Sequence, residues 1–191
     1  MTTREEILNF SSNLFLRYGI RKTTMEDVAR ICRIGKATLY KFFKNKEELF
    51  KEVLRNEMEN ILSTMEERIR DINSVKERLR ILFRTEYMLL KSKSNLSEVL
   101  TRTGEFLDRE IKEIINEFYE RQRRIIREIL SAGVKNGEIE VEDISLLSLA
   151  MMAAGQGLYS YFRDISDERK ALKSMDYLIE TLFSGIGVRK D

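Results

Sequence analysis

The sequence predicts an all-α chain of about nine helices, and three observations carry that prediction. None of the 191 residues is proline, and charged residues make up 35% of the chain. Strong helix formers (Leu, Ile, Met, Glu, Lys and Arg) dominate the composition. Apolar residues recur at spacings of three and four over long stretches, and the few glycines fall where such stretches end. The length is that of one or two domains and allows a substantial buried core.

The first helix starts at Thr3, with Glu6 placed three residues on as the return acid of a capping box. Ile7, Leu8, Leu14, Phe15 and Tyr18 make its apolar face. Gly19 reads as the residue that closes it, with Ile20 folding back on Phe15. Arg21 and Lys22 then form either a solvated turn or a phosphate contact. From Thr23 to Leu49 three helix starts follow in quick succession. Thr23 or Thr24 caps the first, with Glu26 or Asp27 as return acid; Gly35 opens the second; Asn45 opens the third, with Glu48 at its third position. The middle helix, Lys36 to Phe43, carries Leu39, Phe42 and Phe43 on one side and Lys36, Ala37, Thr38, Tyr40 and Lys41 on the other. A short helix after a tight turn, with small and polar residues at its start, suits the DNA major groove. Leu14, Phe15, Val28, Ile31, Ile34, Leu39, Phe42 and Phe43 are the expected core of this three-helix head.

A long helix from Asn45 to about Arg70 follows, with Leu49, Val53, Met58, Ile61, Met65 and Ile69 in register. Ser74 and Glu77 form the next capping box, and Val75, Leu79, Leu82, Phe83, Tyr87 and Leu90 the next stripe. A short helix is expected at about 95–102. A long amphipathic helix then runs from about Glu105, with Arg121, Arg123, Arg124 and Arg127 on a solvated face. Gly133 and Asn136-Gly137 mark its end and a turn. Asp143 caps a helix that is apolar nearly all round, as expected of an element buried on two sides. The last helix runs from about Glu168 to Phe183.

Composition also excludes several chemistries. Histidine is absent and Cys32 is the single cysteine. Catalytic Ser-His and Cys-His pairs are therefore impossible, and a zinc site of the usual ligands has too few donors. No glycine-rich phosphate loop and no cofactor motif is present, and the carboxylates fall on helix surfaces, so no enzyme is expected. Cys32 reads as a small apolar core residue. No apolar run approaches the ~18 residues of a membrane span, and the N-terminus lacks a signal-peptide core, so a soluble, cytoplasmic protein is expected. The net charge is +2, but residues 1–50 carry ten Lys/Arg against six Asp/Glu. A basic head on a near-neutral body suits contact with nucleic acid. In the body, Tyr87, Met88, Phe106, Phe118, Met151, Met152, Gln156, Tyr159 and Phe162 combine aromatics, methionines and a few polar atoms. Such a set lines either a ligand pocket or an ordinary core.

The stretch from Thr23 to Leu49 resembles the TetR family of transcriptional repressors. The resemblance rests on Thr23-Thr24, Val28-Ala29, Lys36-Ala37-Thr38-Leu39-Tyr40 with Phe43, and Lys44-Asn45-Lys46-Glu47-Glu48-Leu49. Two positions depart from the family pattern: Arg33 stands where glycine is usual in the turn, and Gly35 where serine often caps the reading helix. The resemblance implies a helix-turn-helix DNA-binding domain at 1–47 and a ligand-binding and dimerisation domain at 48–191. It implies a homodimer on a palindromic double-stranded operator, released by a small apolar or amphipathic effector. Thr24, Lys36, Ala37, Thr38, Tyr40, Lys41, Lys44 and Lys46 are the expected DNA-binding residues. Lys36 is placed to donate to guanine, Ala37 and Thr38 to touch a thymine methyl, and Tyr40, Lys44 and Lys46 to hold phosphates. Tyr87, Met88, Phe106, Phe118, Met152, Gln156 and Tyr159 are the expected effector lining. Ala150, Ala154, Gly157, Met175, Ile179 and Leu182 are the expected dimer contacts, the small residues among them permitting close helix approach. The alternative is a small-molecule-binding or interaction protein whose head no longer reads DNA.

Overall fold

The structure, a computed structural model, describes residues 3–93, 109–162 and 167–186. Eight α-helices lie among the described residues: α1 (Arg4–Lys22), α2 (Met25–Ile31), α3 (Lys36–Phe42), α4 (Lys46–Ile69), α5 (Val75–Ser92), α6 (Arg109–Lys135), α7 (Ile144–Phe162) and α8 (Glu168–Ile186). The all-α expectation holds; the short helix expected at about 95–102, and Phe106, lie outside the described residues. The chain divides into two compact units, the described residues of Met1–Ile61 with Leu90–Glu117, and those of Leu62–Leu89 with Phe118–Asp191.

In the first unit, α1 opens on the expected capping box. The Thr3 hydroxyl accepts from the Glu6 amide at 3.2 Å, and the Thr3 amide donates to the Glu6 carboxylate at 2.8 Å. Gly19 breaks the helix at φ 77°, and a last turn carries the chain on to Lys22, beyond the expected end. The Arg4 guanidinium lies 3.1 Å from Glu52 and 5.0 Å above the Phe43 ring, which ties the start of α1 to the ends of the reading segment. The core joins Ile7, Phe15, Val28, Leu39 and Phe43 to Leu49, Phe50 and Val53 of α4, with Ile111 of α6 packed against it. Phe15 and Phe50 meet edge to face at 5.3 Å. One expected core residue, Ile31, is corrected, and so is the placing of Tyr18 on the inward face of the first helix. Ile31 is 40% exposed and Tyr18 49% exposed. Val28 and Cys32 take the inward positions at the end of α2, and Phe15 takes that of α1. Ile31 and Tyr18 instead line an open surface groove with Leu14, Lys22 and Arg30.

A polar chain crosses this unit. The buried Ser12 hydroxyl donates to Glu57 of α4, whose other carboxylate oxygen accepts from the Lys93 ammonium at the end of α5. A buried carboxylate is tolerable when it is paired and hydrogen-bonded in this way.

In the second unit, Leu79, Leu82, Ile126, Ile129 and Leu130 are fully buried, and Met151, Met175 and Ile179 nearly so. Gly133, expected to end its helix, lies two residues inside α6. A Cβ there would come 2.5 Å from Val75 Cγ2, so this glycine allows close approach to α5; Gly137, at φ 70°, makes the turn. Gly155 of α7 does the same for Phe83, whose ring a Cβ would meet at 2.7 Å. The start of α5 is capped from a distance. Ser74 Oγ accepts from Glu77 at 3.4 Å, but the Glu138 carboxylate takes the Val75 amide at 2.9 Å. Arg80 bridges Glu77, Glu180 and Asp176, and Arg84 lies 3.4 Å from Asp176, so charge pairs join α5 to α8.

The last two helices divide their apolar residues between two sides. On α8, Met175 and Ile179 are 4% and 1% exposed, whereas Tyr177 is 74% exposed. Met175 and Ile179 are therefore packed inside the second unit and do not lie on an open face, where dimer contacts were expected. Their spacing selected one face of the helix, and that face looks inward. Ala150 is exposed and Leu182 half-buried. Ala154 and Gly157 line an open groove of about 950 Å³ with Leu158, Tyr177, Leu178 and Thr181.

Candidate DNA-reading site and body core

Thr24 caps α2 reciprocally. Its hydroxyl accepts from the Asp27 amide at 3.2 Å, and its own amide donates to the Asp27 carboxylate at 3.1 Å. The Thr24 hydroxyl and amide hold the Asp27 carboxyl below the usual carboxylate range. At the other end of α2, the Arg33 amide donates to Arg30 O at 3.2 Å and the Ile34 amide to Ala29 O at 3.0 Å. That pair of bonds is a Schellman close, which requires a left-handed residue at its centre. Arg33 supplies it at φ 55°, where glycine would be unstrained. The turn thus forms as the motif requires, despite the arginine. Gly35 caps α3 through its backbone alone, its carbonyl accepting from Thr38 at 2.9 Å. Cys32 is buried in the same turn, and burial pushes its thiol up to about 11, as suits an inert core residue.

These constraints fix where α3 looks. Leu39 is fully buried, Phe43 nearly so, and Phe42 packs on the core, while Lys36, Ala37, Thr38, Tyr40 and Lys41 are exposed. The first turn of α3 therefore offers one cation, one methyl and one hydroxyl outward. The Lys36 ammonium lies 3.6 Å from the Glu26 carboxylate of α2, both side chains largely in solvent. Lys44 is exposed and Lys46 half-buried at the start of α4. There Asn45 Oδ1 accepts from the Glu48 amide at 2.8 Å, and the Glu48 carboxylate reaches back to the Lys44 amide at 2.7 Å. The eight residues expected at DNA thus lie on, or immediately beside, two helix N-termini and α3.

In the second unit, the expected effector residues fall unevenly. Tyr87, Phe118 and Tyr159 are buried, Tyr87 meeting Tyr159 edge to face at 6.0 Å. Met152 of α7 is buried, and Gln156 half-buried. Met88 is 44% exposed, because the neighbouring Tyr87 takes the inward position on α5. The polar members of this core were missed by sequence reasoning. Glu86 is 6% exposed, and Gln122 of α6 donates to its carboxylate at 2.6 Å. Burial pushes the Glu86 carboxyl up to about 7, and the Tyr119 hydroxyl is raised by burial and by Glu86. The missed signal was a break in the apolar stripe: Glu86 falls three residues after Phe83 and four before Leu90, and Gln122 four after Phe118 and three before Ile125.

A three-helix head with an exposed reading helix, in a chain that is otherwise helical, defines a helix-turn-helix DNA-binding protein. Residues 7–53 match the family model described as bacterial regulatory proteins, tetR family, and residues 73–165 match that of the tetracyclin repressor-like C-terminal domain. The chain belongs to the TetR family of ligand-responsive transcriptional regulators. It is 25% identical over 135 residues to the fatty acid metabolism regulator protein of Bacillus subtilis, covering 71% of this chain and 70% of that one. It is 27% identical over 144 residues to the HTH-type transcriptional repressor KstR2 of Rhodococcus jostii, covering 73% and 71%. The solved structure of FadR from Bacillus subtilis in complex with stearoyl-CoA has the same fold, with a TM-score of 0.75 at 22% identity, covering 96% of this chain and all of that one. No described helix is long and apolar enough to cross a membrane.

Proposed function

We propose that this regulator is a homodimeric, cytoplasmic repressor without enzymatic activity. Residues 1–47 read a palindromic operator; residues 48–191 dimerise and release the DNA when a small apolar or amphipathic effector binds. The observation that carries the DNA reading is the exposure of Lys36, Ala37, Thr38 and Tyr40 on a helix whose other side is locked into the core by Leu39 and Phe43. Side chains on the first turn of such a helix are those that meet base edges. The intact Schellman close at Arg33 supports this reading over a head that no longer binds DNA.

Dimerisation is supported by the groove beside Ala154 and Gly157 and by the exposure of Leu146, Tyr161 and Tyr177 at 63%, 65% and 74%. The apolar lining of the groove, with Ala154, Gly157, Leu158, Tyr177 and Leu178, is the kind of surface that marks an interaction site. At Gly157 an added Cβ would meet nothing within 4 Å, which leaves the backbone open to a neighbouring helix. Effector release is supported by the aromatic and methionine content of the body core.

The test is binding of the purified protein to the DNA upstream of its own gene, against scrambled DNA of equal length. Retarded migration of the upstream fragment at nanomolar protein, absent with the scrambled fragment, is the expected result. Equal affinity for both at several salt concentrations would defeat sequence reading.

A further inference from the structure

Glu86 is an acid on the buried stripe of α5; Gln122 of α6 reaches its carboxylate, and its charge acts on the Tyr119 phenol. Among the described residues it has one hydrogen-bond partner, the Gln122 amide nitrogen at 2.6 Å, and no ion pair. The other end of that amide, Gln122 Oε1, is buried with no partner among the described residues, and so is the Tyr87 hydroxyl on the residue next to Glu86. Gln122 and Tyr87 are each 1% exposed. Buried polar atoms are almost always satisfied, and orphaned ones call for an explanation. We propose that Glu86, Gln122 Oε1 and the rings of Tyr87 and Tyr119 receive the protonated amine of an amphipathic effector. This inference rests on the effector-binding reading above and names the chemistry of its polar end.

An ammonium fits this setting on three counts. Its N–H groups are donors only, matching the Glu86 carboxylate and the free Gln122 oxygen. Aromatic faces attract a cation through their quadrupole, most strongly where water is excluded. The neighbouring charges are negative: burial chiefly raises both phenols, and Glu168 and Asp167 add to this at Tyr87 and Glu86 at Tyr119. A carboxylate or phosphate on the ligand would be repelled by those charges and would find no cation at Glu86 among the described residues. Burial already pushes the Glu86 carboxyl up to about 7. A bound ammonium would hold it in the charged form, as an opposite charge at close range does.

The experiment compares decylamine, 1-decanol and decanoate below their micelle concentrations, by calorimetric titration of the full chain at neutral pH. On the wild-type protein the amine is expected to bind on the order of tenfold more tightly than the alcohol, and decanoate more weakly than either. Glu86→Gln keeps the shape and removes the charge, and should abolish the amine's advantage over the alcohol. Equal binding of amine and alcohol to the wild-type protein, tighter binding of decanoate, or no binding of the amine would each overturn the proposal without recourse to the variant. An amine advantage that survives Glu86→Gln would also overturn it. The two readings fail separately. Glu86-dependent amine binding that leaves operator affinity unchanged defeats effector release and not this site. Release of the operator by an apolar compound in a protein blind to the amine defeats this site and not effector release.

Discussion

Arg33 is the one non-glycine residue at positive φ among the described residues, and it holds the turn on which α3 depends. A side chain in the left-handed region costs on the order of 1 kcal/mol relative to glycine. Arg33→Gly is therefore expected to stabilise the protein by about 1 kcal/mol, read as a higher denaturation midpoint. A lower midpoint would mean that the arginine side chain contributes more than its backbone costs. Glu86 gives a second prediction, with a definite sign in pH. Its carboxyl titrates near 7 in the native protein against 4.5 ordinarily, because of burial. The unfolded chain releases that proton first. Native stability should thus fall as pH rises from about 4.5 to about 7, by up to roughly 3 kcal/mol. Glu86→Gln removes this loss. It should match the wild type near pH 4 and exceed its stability at pH 8; an equal deficit at both pH values would contradict the assigned burial.

At the scale of the element, α3 and the start of α4 should fail in different ways. The Lys36–Glu26 pair is solvent-exposed, and such pairs contribute no more than about 1 kcal/mol, so DNA can compete for Lys36. Lys36→Ala should cost about 1–3 kcal/mol at the operator and relax base preference at one position per half-site. Lys46→Ala should weaken operator and scrambled DNA alike and lower the salt slope by about 1. If Lys36→Ala lowers both affinities equally, its role is phosphate contact. The reading segment was legible in the sequence because its signals are local: Thr24, Gly35 and Asn45 each announce a helix start within four residues. What escaped depends on the third dimension. Met175 and Ile179 share a face, but only packing reveals that the face looks inward. The cap of α5 by Glu138 spans more than sixty residues of chain, and Gly133 marks a helix crossing where the sequence suggested a helix end. Glu86 and Glu57 interrupt the apolar stripes of their helices, yet carboxylates were expected on helix surfaces, and only packing shows these two to be buried.

For the whole molecule, dimerisation and coupling can be tested together. Ala154→Arg places a charge in the groove beside Gly157 and should convert the dimer to a monomer by light scattering, with helicity retained and operator binding lost. A wild-type protein that is monomeric at micromolar concentration would remove the basis of that prediction. An effector should weaken operator binding by a coupling of about 1–3 kcal/mol, and by linkage the operator must weaken effector binding by the same factor.

The packing of the head has a practical consequence for anyone wishing to give this regulator a new target. Its core is closed by Leu49, Phe50 and Val53 of α4 and by Ile111, about sixty residues further along the chain. A fragment ending at residue 47 leaves those positions empty, and circular dichroism is expected to find it largely unfolded. Grafting a foreign head onto this body, or this head onto another body, would sever the same packing. Retargeting should instead proceed by exchanging outward side chains of α3 in place, where Lys36, Ala37, Thr38 and Tyr40 can change without disturbing Leu39 or Phe43.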